Sequence, residues 1–496
     1  MNLYESLVKY SMDGYYPMHM PGHKRNTMWN HMVNPYGIDI TEIEGFDNLH
    51  HAESILYEGM ERAARLYGAG HTAYLINGST VGLLAGISAC TNKGDKVLVA
   101  RNSHKAVYNA IYLNELKPVY IYPQKDGEFG INCGLNPSLI EDLLIKNQDA
   151  KLIIITSPTY EGIISDVSAI SAIAHRYGVP LLVDEAHGAH FGFHKDFPRN
   201  AIKCGADIVI HSLHKTLPSF TQTALIHVNG TLVNYDNVKR YLSIYQSSSP
   251  SYLLMSSIEQ CISLLETKGE ELFDSYHKQL RSFYDKMNGL SKIKVLNPYQ
   301  NTRFYGIDPS KITISVKGTD MTGVRLYERL LEQYKIQMEL VSMDYVLGMT
   351  SICDTKEGFQ RLEEALFAID NEVTIVYEAK QDDTKPNDTK QNDIKPDDTK
   401  PDATQLDDIT ADFILPEIKL SSYEAIHRPF ERILFSEGNG RISAEYVYLY
   451  PPGIPILVPG ELINHRFIAQ INEYKENGLS VQGTEDIEAN YIKVVK

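Results

Sequence analysis

Two segments of the sequence carry residue types at a spacing that suits covalent catalysis. VDEAHGAHFGF closes the apolar run PLLVDEA (180–186), and HSLHKTLPSF closes ADIVIHS (206–212), so Asp184 and Lys215, 31 residues apart, are expected at the ends of successive strands. Active sites of open parallel sheets lie at the carboxyl ends of their strands. A carboxylate and a lysine meeting there suit pyridoxal phosphate. The lysine amine holds the cofactor as a Schiff base, and the carboxylate keeps the pyridine nitrogen protonated so that the ring accepts electrons from a carbanion. Taken singly, each residue has a plainer explanation: a solvated surface lysine, and an aspartate that caps a strand end.

Upstream, AYLINGSTVGLLAGISAC passes from strand to helix at Asn77, Gly78, Ser79 and Thr80. Free amides and hydroxyls at a helix N-terminus form an anion cradle, although the same residues would also serve as an ordinary N-cap. One strand further on, RNSHKAVYNA presents His104, which is expected to lie flat on a cofactor ring; the alternative is a polar loop residue.

Elements that alternate along the first half must position these residues. The β-rich runs AYLING (73–78), KVLVA (96–100), PVYIYP (118–123), KLIIIT (151–156), PLLVDEA, ADIVIHS and TALIHV (223–228) are separated by helical patterns such as 51–68 and 168–178, both of which stop at glycine. This order predicts an α/β fold, a mostly parallel sheet with helices on both faces. Beyond about residue 250, long helices (253–288, 323–334, 358–372) flank a KITISV strand (311–316), which fits a smaller α+β domain. A five-residue repeat, DDTKP to DATQL, spans 382–406; it has almost nothing apolar to bury and is expected to be a disordered tether. Globular character resumes in a C-terminal domain.

The chain has 496 residues, 43% of them hydrophobic, enough for two or three domains. Its net charge of −16 is the wrong sign for binding nucleic acid, and residues 381–408 alone, with nine Asp and four Lys, contribute −5 of it. Five scattered cysteines (Cys90, Cys133, Cys204, Cys261, Cys353) have no metal-binding or redox spacing, so reduced thiols and no metal are expected. No leader-like N-terminus and no run of about 20 apolar residues is present, which reads as a cytoplasmic protein.

The sequence resembles the Orn/Lys/Arg decarboxylases over nearly its whole length. The matching segments are MPGHKRN (20–26), DITEIEGFDNLHHAESIL (39–56), NGSTVG (77–82), RNSHKAVYNA (101–110), SPTYEG (157–162), VDEAHGAHFG (183–192), HSLHK (211–215), SSSPSYLLM (247–255) and LYPPGIPILVPGE (449–461). The resemblance implies a fold-type-I pyridoxal phosphate enzyme of the aspartate aminotransferase fold. Its parts would be an N-terminal arm (1–50), a cofactor-binding major domain (51–300), a small α+β domain (301–380), a linker (381–411) and a C-terminal α+β decarboxylase domain (412–496). It implies Lys215 as the Schiff-base lysine, Asp184 at the pyridine nitrogen and His104 on the ring. Ser79, Thr80, Ser212 and His214 would hold the phosphate. His187 would sit beside the phenolic oxygen or the substrate, with simple packing under the ring as the alternative. Ser248, in the SSSP segment, would reach the partner subunit's phosphate, which implies an obligate homodimer.

Two departures stand out. Val81 replaces a hydroxyl common in longer members, which predicts a thinner phosphate cup, and the chain begins almost at MPGHKRN without their receiver-like domain, which predicts a dimer or tetramer. The implied reaction is decarboxylation of a basic amino acid, arginine ahead of lysine or ornithine, with the proton for the α-carbon delivered by Lys215 or His187. It would serve polyamine synthesis or acid consumption. Carboxylates for the substrate's cationic end are sought at Glu44, Asp47, Glu437 or Glu445, each also readable as a solvated charge. Two other readings remain. One is an aminotransferase or aldolase, for which Arg303, Arg325, Arg329 or Arg361 would have to bind the substrate carboxylate. The other is a catalytically silent binding or regulatory protein, against which the intact Lys215 and Asp184 speak.

Overall fold

A computed structural model of the chain describes residues 2–28, 33–376, 416–450 and 453–496. The 382–406 repeat, and with it the expected tether, lies outside the described residues. The centre is a seven-stranded sheet: β1 (His71–Leu75), β2 (Lys96–Ala100), β3 (Lys117–Ile121), β4 (Ala150–Thr156), β5 (Leu181–Asp184), β6 (Ile208–His211) and β7 (Ala224–Val228). Their spatial order is β1-β7-β6-β5-β4-β2-β3, and only β7 runs antiparallel to its neighbours. β5, β6 and β7 are buried along their whole length, which is why they read as continuous apolar runs without alternation. The register sets Asp184 beside Thr156 at the ends of β5 and β4.

Helices α1 (Ile55–Tyr67), α2 (Gly78–Cys90), α3 (Lys105–Leu113), α4 (Pro137–Lys146) and α5 (Val167–Arg176) alternate with the strands; α6 (Leu213–Thr216) is a single turn after β6, and α7 (Tyr235–Tyr245) covers α2. Because α2 is enclosed between the sheet and α7, it is apolar nearly all round. Gly82 and Gly86 let it lie close on the sheet: a Cβ at Gly82 would stand 2.7 Å from Leu75 Cδ1 and 3.0 Å from Ile210 Cδ1. That close approach brings the N-terminus of α2 over the strand ends.

The long helix α8 (Tyr252–Met287) leads to a small antiparallel sheet, ordered β8-β9-β11-β10, from β8 (Lys294–Val295), β9 (Lys311–Ser315), β10 (Leu340–Val341) and β11 (Tyr345–Met349). Helices α9 (Gly323–Glu332) and α10 (Lys356–Glu372) complete this unit. Residues Tyr16–Met18 pair in parallel with Ile336–Met338, so the N-terminal arm is tied to the small domain. The C-terminal region has its own core around Phe435, Val447, Leu457, Phe467 and Val494. It docks on the major domain through Arg101, whose guanidinium donates to Pro455 O (2.5 Å), Ile456 O (3.0 Å) and Glu461 Oε2 (3.2 Å). All five cysteines are free thiols, and among the described residues no helix is long and apolar enough to cross a membrane.

Candidate active site

At the carboxyl ends of the parallel strands lies a cavity of about 390 Å³, lined by Ser79, Thr80, His104, Asp184, His187, Ser212, His214 and Lys215. Each comes from the end of a strand, the turn that follows it, or the first turn of a helix. Gly78 takes φ +74°, a left-handed conformation open to glycine, and its N–H donates to Gln222 O at 2.9 Å. This turn presents the Ser79 and Thr80 hydroxyls at the start of α2, where the helix dipole favours an anion. The Ser79 and Ser212 hydroxyls are hydrogen-bonded to each other. His214 Nδ1–H donates to Thr223 O at 2.8 Å, which fixes its ring. The MPGHKRN loop holds the lysine turn from above. Gly22 N–H donates to His214 O at 2.6 Å, and a Cβ there would meet Leu217 N at 2.6 Å, so glycine is required. Lys24 anchors that loop through bonds to the carbonyls of Pro17, His19 and Met349.

Lys215 Nζ lies 3.0 Å from His187 Nε2. Burial lowers the Lys215 pKa, opposed by Asp184 and Glu339. Burial raises the Asp184 pKa, opposed by Lys215 and by the Ala186 N–H that its Oδ1 accepts at 3.2 Å. The imidazoles are held neutral. Burial, reinforced by Lys215 and Lys105, takes His104 down to about 3; burial and Lys215 outweigh the Thr223 bond to take His214 to about 4; and burial with the neighbouring Lys215 and Lys311 holds His187 well below the usual value. His104 also caps α3, with Nδ1 accepting Ala106 N–H at 3.2 Å, so the helix-start reading and the cavity reading both hold for it.

These residues fit pyridoxal phosphate. A buried carboxylate with a raised pKa and one N–H partner is suited to a pyridinium, and the buried Thr156 Oγ1 and Asn102 Oδ1 on the cavity wall have no hydrogen-bond partner among the described residues. The hydroxyl turn at the start of α2 supplies the phosphate end.

Several expectations fall elsewhere. Val81 is buried in the packed face of α2 and does not line the cavity. Ser248 is exposed and does not line the cavity of this protomer. Glu44, Asp47, Glu437 and Glu445 also lie off the cavity wall. Asp47 accepts the N–H groups of Glu53, Ser54 and Leu56 at the start of α1, and Glu445 those of Glu485 and Lys493. Arg303, Arg325, Arg329 and Arg361 are paired outside the cavity with Asp126 and Glu128, Glu328, Glu372 and Glu357 respectively. Sequence reasoning missed Asn102, Thr156, Tyr160, Glu339 and Tyr450 on the wall, and Lys311 behind His187. Thr156 ends an apolar strand just as Asp184 does and was findable by the same rule. Glu339, from the small domain, carried no local signal.

The fold and the strand-end site define a pyridoxal phosphate-dependent enzyme of fold type I. The lysine decarboxylase of Francisella novicida superposes with a TM-score of 0.72 at 18% identity, covering 100% of this chain and 83% of that one, and the constitutive lysine decarboxylase of Escherichia coli with 0.70 at 19%, covering 89% and 74%. Residues 1–308 match the Orn/Lys/Arg decarboxylase major domain and 415–478 its C-terminal domain. A Bacillus subtilis protein named arginine decarboxylase is 32% identical over 505 aligned residues, covering 100% of this chain and 97% of the relative. The chain therefore belongs to the Orn/Lys/Arg decarboxylase family, whose members decarboxylate basic amino acids with pyridoxal phosphate.

Proposed function

We propose that the substrate is arginine, ahead of lysine and ornithine, and that Lys215, Asp184 and His187 are the catalytic residues. Full-length likeness to a bacterial arginine decarboxylase supports the substrate. The observation that carries the assignment of roles is the single cavity in which Lys215, Asp184 and the hydroxyl turn of α2 face one another. Pyridoxal phosphate, when bound, supplies the sink for the electron pair released as the carboxylate leaves.

The chain's own groups do the rest. Lys215 would hold the cofactor through Nζ, Asp184, ionised, would keep the pyridine nitrogen protonated, and His104 would flank the ring. Ser79, Thr80, Ser212 and His214 would bind the phosphate together with the start of α2. His187, with Nε2 3.0 Å from Lys215 Nζ, holds a proton beside the reacting atoms. Leu83, Ile454 and Tyr450 wall off water, which strengthens each of these interactions. Glu339, which shares the carboxylate lining of the cavity with Asp184, is the partner for the substrate's cationic end. It is oriented by Tyr160 OH at 2.5 Å and Met20 N–H at 2.9 Å.

The active protein is proposed to be a cytoplasmic homodimer in which Ser248 completes the partner's phosphate site. Supporting this, the 247–249 segment is exposed, is tied to the 47–51 loop through His50 and Ser247 O at 2.8 Å, and lies in a region with exposed Ile43, Phe46, Ile55 and Tyr57. The domain limits are proposed with one change: Lys294–Val295 pairs with Ile314–Ser315 in the small sheet, so the small α+β domain begins before residue 294.

Carbon dioxide release from arginine, lysine and ornithine, each offered separately with added pyridoxal phosphate, tests the reading. Preference for arginine supports it. A keto acid or aldehyde product in place of an amine would support the aminotransferase or aldolase reading, against which the outward pairing of the four arginines argues.

A further inference from the structure

His187 has a second lysine on its far side. Its Nε2 lies 3.0 Å from Lys215 Nζ and its Nδ1 lies 2.8 Å from Lys311 Nζ, so one imidazole bridges two amines. Lys311 opens β9 and is 1% exposed. Its stem packs under Gly162, where a Cβ would stand 2.7 Å from Lys311 Cγ. Lysine is among the residues least often buried, because its ammonium loses hydration there.

The surroundings keep this amine titratable. Burial takes the Lys311 pKa down to about 7; Asp308 and Glu339 favour its charged form, while Lys215 and Lys24 oppose it. Asp308 is already engaged by His190 at 3.0 Å and by the Ser310 hydroxyl at 2.7 Å, and Glu339 by Tyr160 and Met20. Around His187 itself, Lys215, Lys311, His104 and His214 all disfavour an imidazolium, and the Tyr160 ring packs against it at 4.5 Å.

Hydrogen-bond valence then constrains the triad. A neutral imidazole has one N–H and one lone pair, so it cannot accept from two ammonium groups. When Lys311 is charged it donates to Nδ1, and the ring proton must sit on Nε2, facing Lys215. When Lys311 is neutral it can accept from Nδ1–H, leaving Nε2 as an acceptor. Decarboxylation leaves an electron pair on the α-carbon and consumes one proton per turnover, and this proton must reach a closed site.

We propose that Lys311 sets the tautomer of His187 and resupplies it with the proton that each turnover consumes. The inference rests on the decarboxylase reading above. In the transfer, an N–H bond of the Lys311 ammonium breaks as Nδ1–H forms. The Nε2–H bond breaks as the proton passes to Lys215 Nζ or to the α-carbon. Lys311 is left as a neutral amine and regains a proton from solvent. It acts through His187 and is a positioning residue.

Lys311→Met removes the donor to Nδ1, and Lys311→Gln keeps a donor that does not titrate, which guards against a collapsed pocket in the Met variant. Three readouts are compared across pH 5.5–9: ¹⁵N shifts of His187 in histidine-labelled cofactor-free protein, absorbance of the bound cofactor, and kcat. The wild type is expected to show one ionisation near pH 7 in all three. Both variants lose it and keep bound cofactor, and kcat at pH 7 falls about 10²-fold with KM little changed. In the Gln variant, whose amide can donate to Nδ1 or accept from it, the His187 tautomer no longer changes with pH. Retention of the ionisation in both variants, or an equal loss of kcat at every pH with the His187 shifts unmoved, overturns the proposal and leaves Lys311 as structural support. If the wild type released carbon dioxide from none of the three amino acids, the functional reading would fail, while the His187 shifts would still decide the role of Lys311.

Discussion

Replacing Asp184 by asparagine should move the stability of the cofactor-free protein and its affinity for cofactor in opposite directions. The carboxylate is 5% exposed, accepts one N–H from Ala186, and has its pKa raised by burial despite Lys215. A carboxyl raised above its unfolded value binds its proton more tightly in the fold. Stability is therefore full below the unfolded pKa near 3.9 and is lost as pH climbs through the folded value. At pH 7.5 the wild type carries that penalty and Asp184→Asn does not, so the cofactor-free variant should be more stable by about 1–2 kcal/mol. With cofactor present the sign reverses. A charge-assisted hydrogen bond to the pyridine nitrogen contributes about 1.5–3 kcal/mol, so its loss weakens cofactor binding about 10- to 150-fold. Urea unfolding without cofactor and an absorbance titration with it measure the two halves. A variant that is less stable without cofactor and binds it as tightly as wild type would show that Asp184 neither carries a burial penalty nor pairs with the pyridine nitrogen.

Acid should loosen the site through its neutral histidines. Their folded values lie below the unfolded value near 6.5, so stability is full above it and falls as pH drops, by about 1.4 kcal/mol per histidine between pH 7.5 and 5.5; for His104 and His214, at about 3 and 4, that is about 3 kcal/mol together. In urea unfolding of the cofactor-free protein, the double variant His104→Gln, His214→Gln should lose that much less stability over this range than wild type. Glu339→Gln should raise KM for arginine about 10-fold or more with a smaller change in kcat; an unchanged KM removes Glu339 from substrate recognition. Gly82→Val must displace Leu75 and Ile210, costing about 1–3 kcal/mol, and should weaken cofactor binding by shifting the start of α2. Equal cofactor affinity would show that the helix position is not what aims the hydroxyl turn.

Local signals made the centre of the molecule legible. The runs that became β2, β4, β5, β6 and β7 are apolar because both faces of the sheet are covered, and Asp184 at the end of β5 and Lys215 in the helical turn after β6 stand where the strand-end rule looks for them. His104 was legible for the same reason, one strand further on. Glu339 and Lys311 were not, because they reach the site from the small domain through long-range packing, with no periodicity or motif to announce them. None of the carboxylates sought for the substrate cation lines the cavity of this protomer. Asp47 lies in an acid-rich loop that reads as a binding site, but its oxygens are consumed by the N–H groups that start α1. Val81 lies on the side of α2 that faces the packed core and offers the cavity no hydroxyl.

Lys215 Nζ is proposed to carry the cofactor, although Lys24, in the N-terminal loop, and Lys311, in the small domain, are buried lysines close to the same site. Borohydride reduction of the cofactor-loaded protein, followed by digestion and peptide mass analysis, tests this directly. The phosphopyridoxyl mass is expected on Lys215 and should disappear in Lys215→Ala. The label on Lys311 or Lys24, or no label on a protein that retains cofactor, would contradict it.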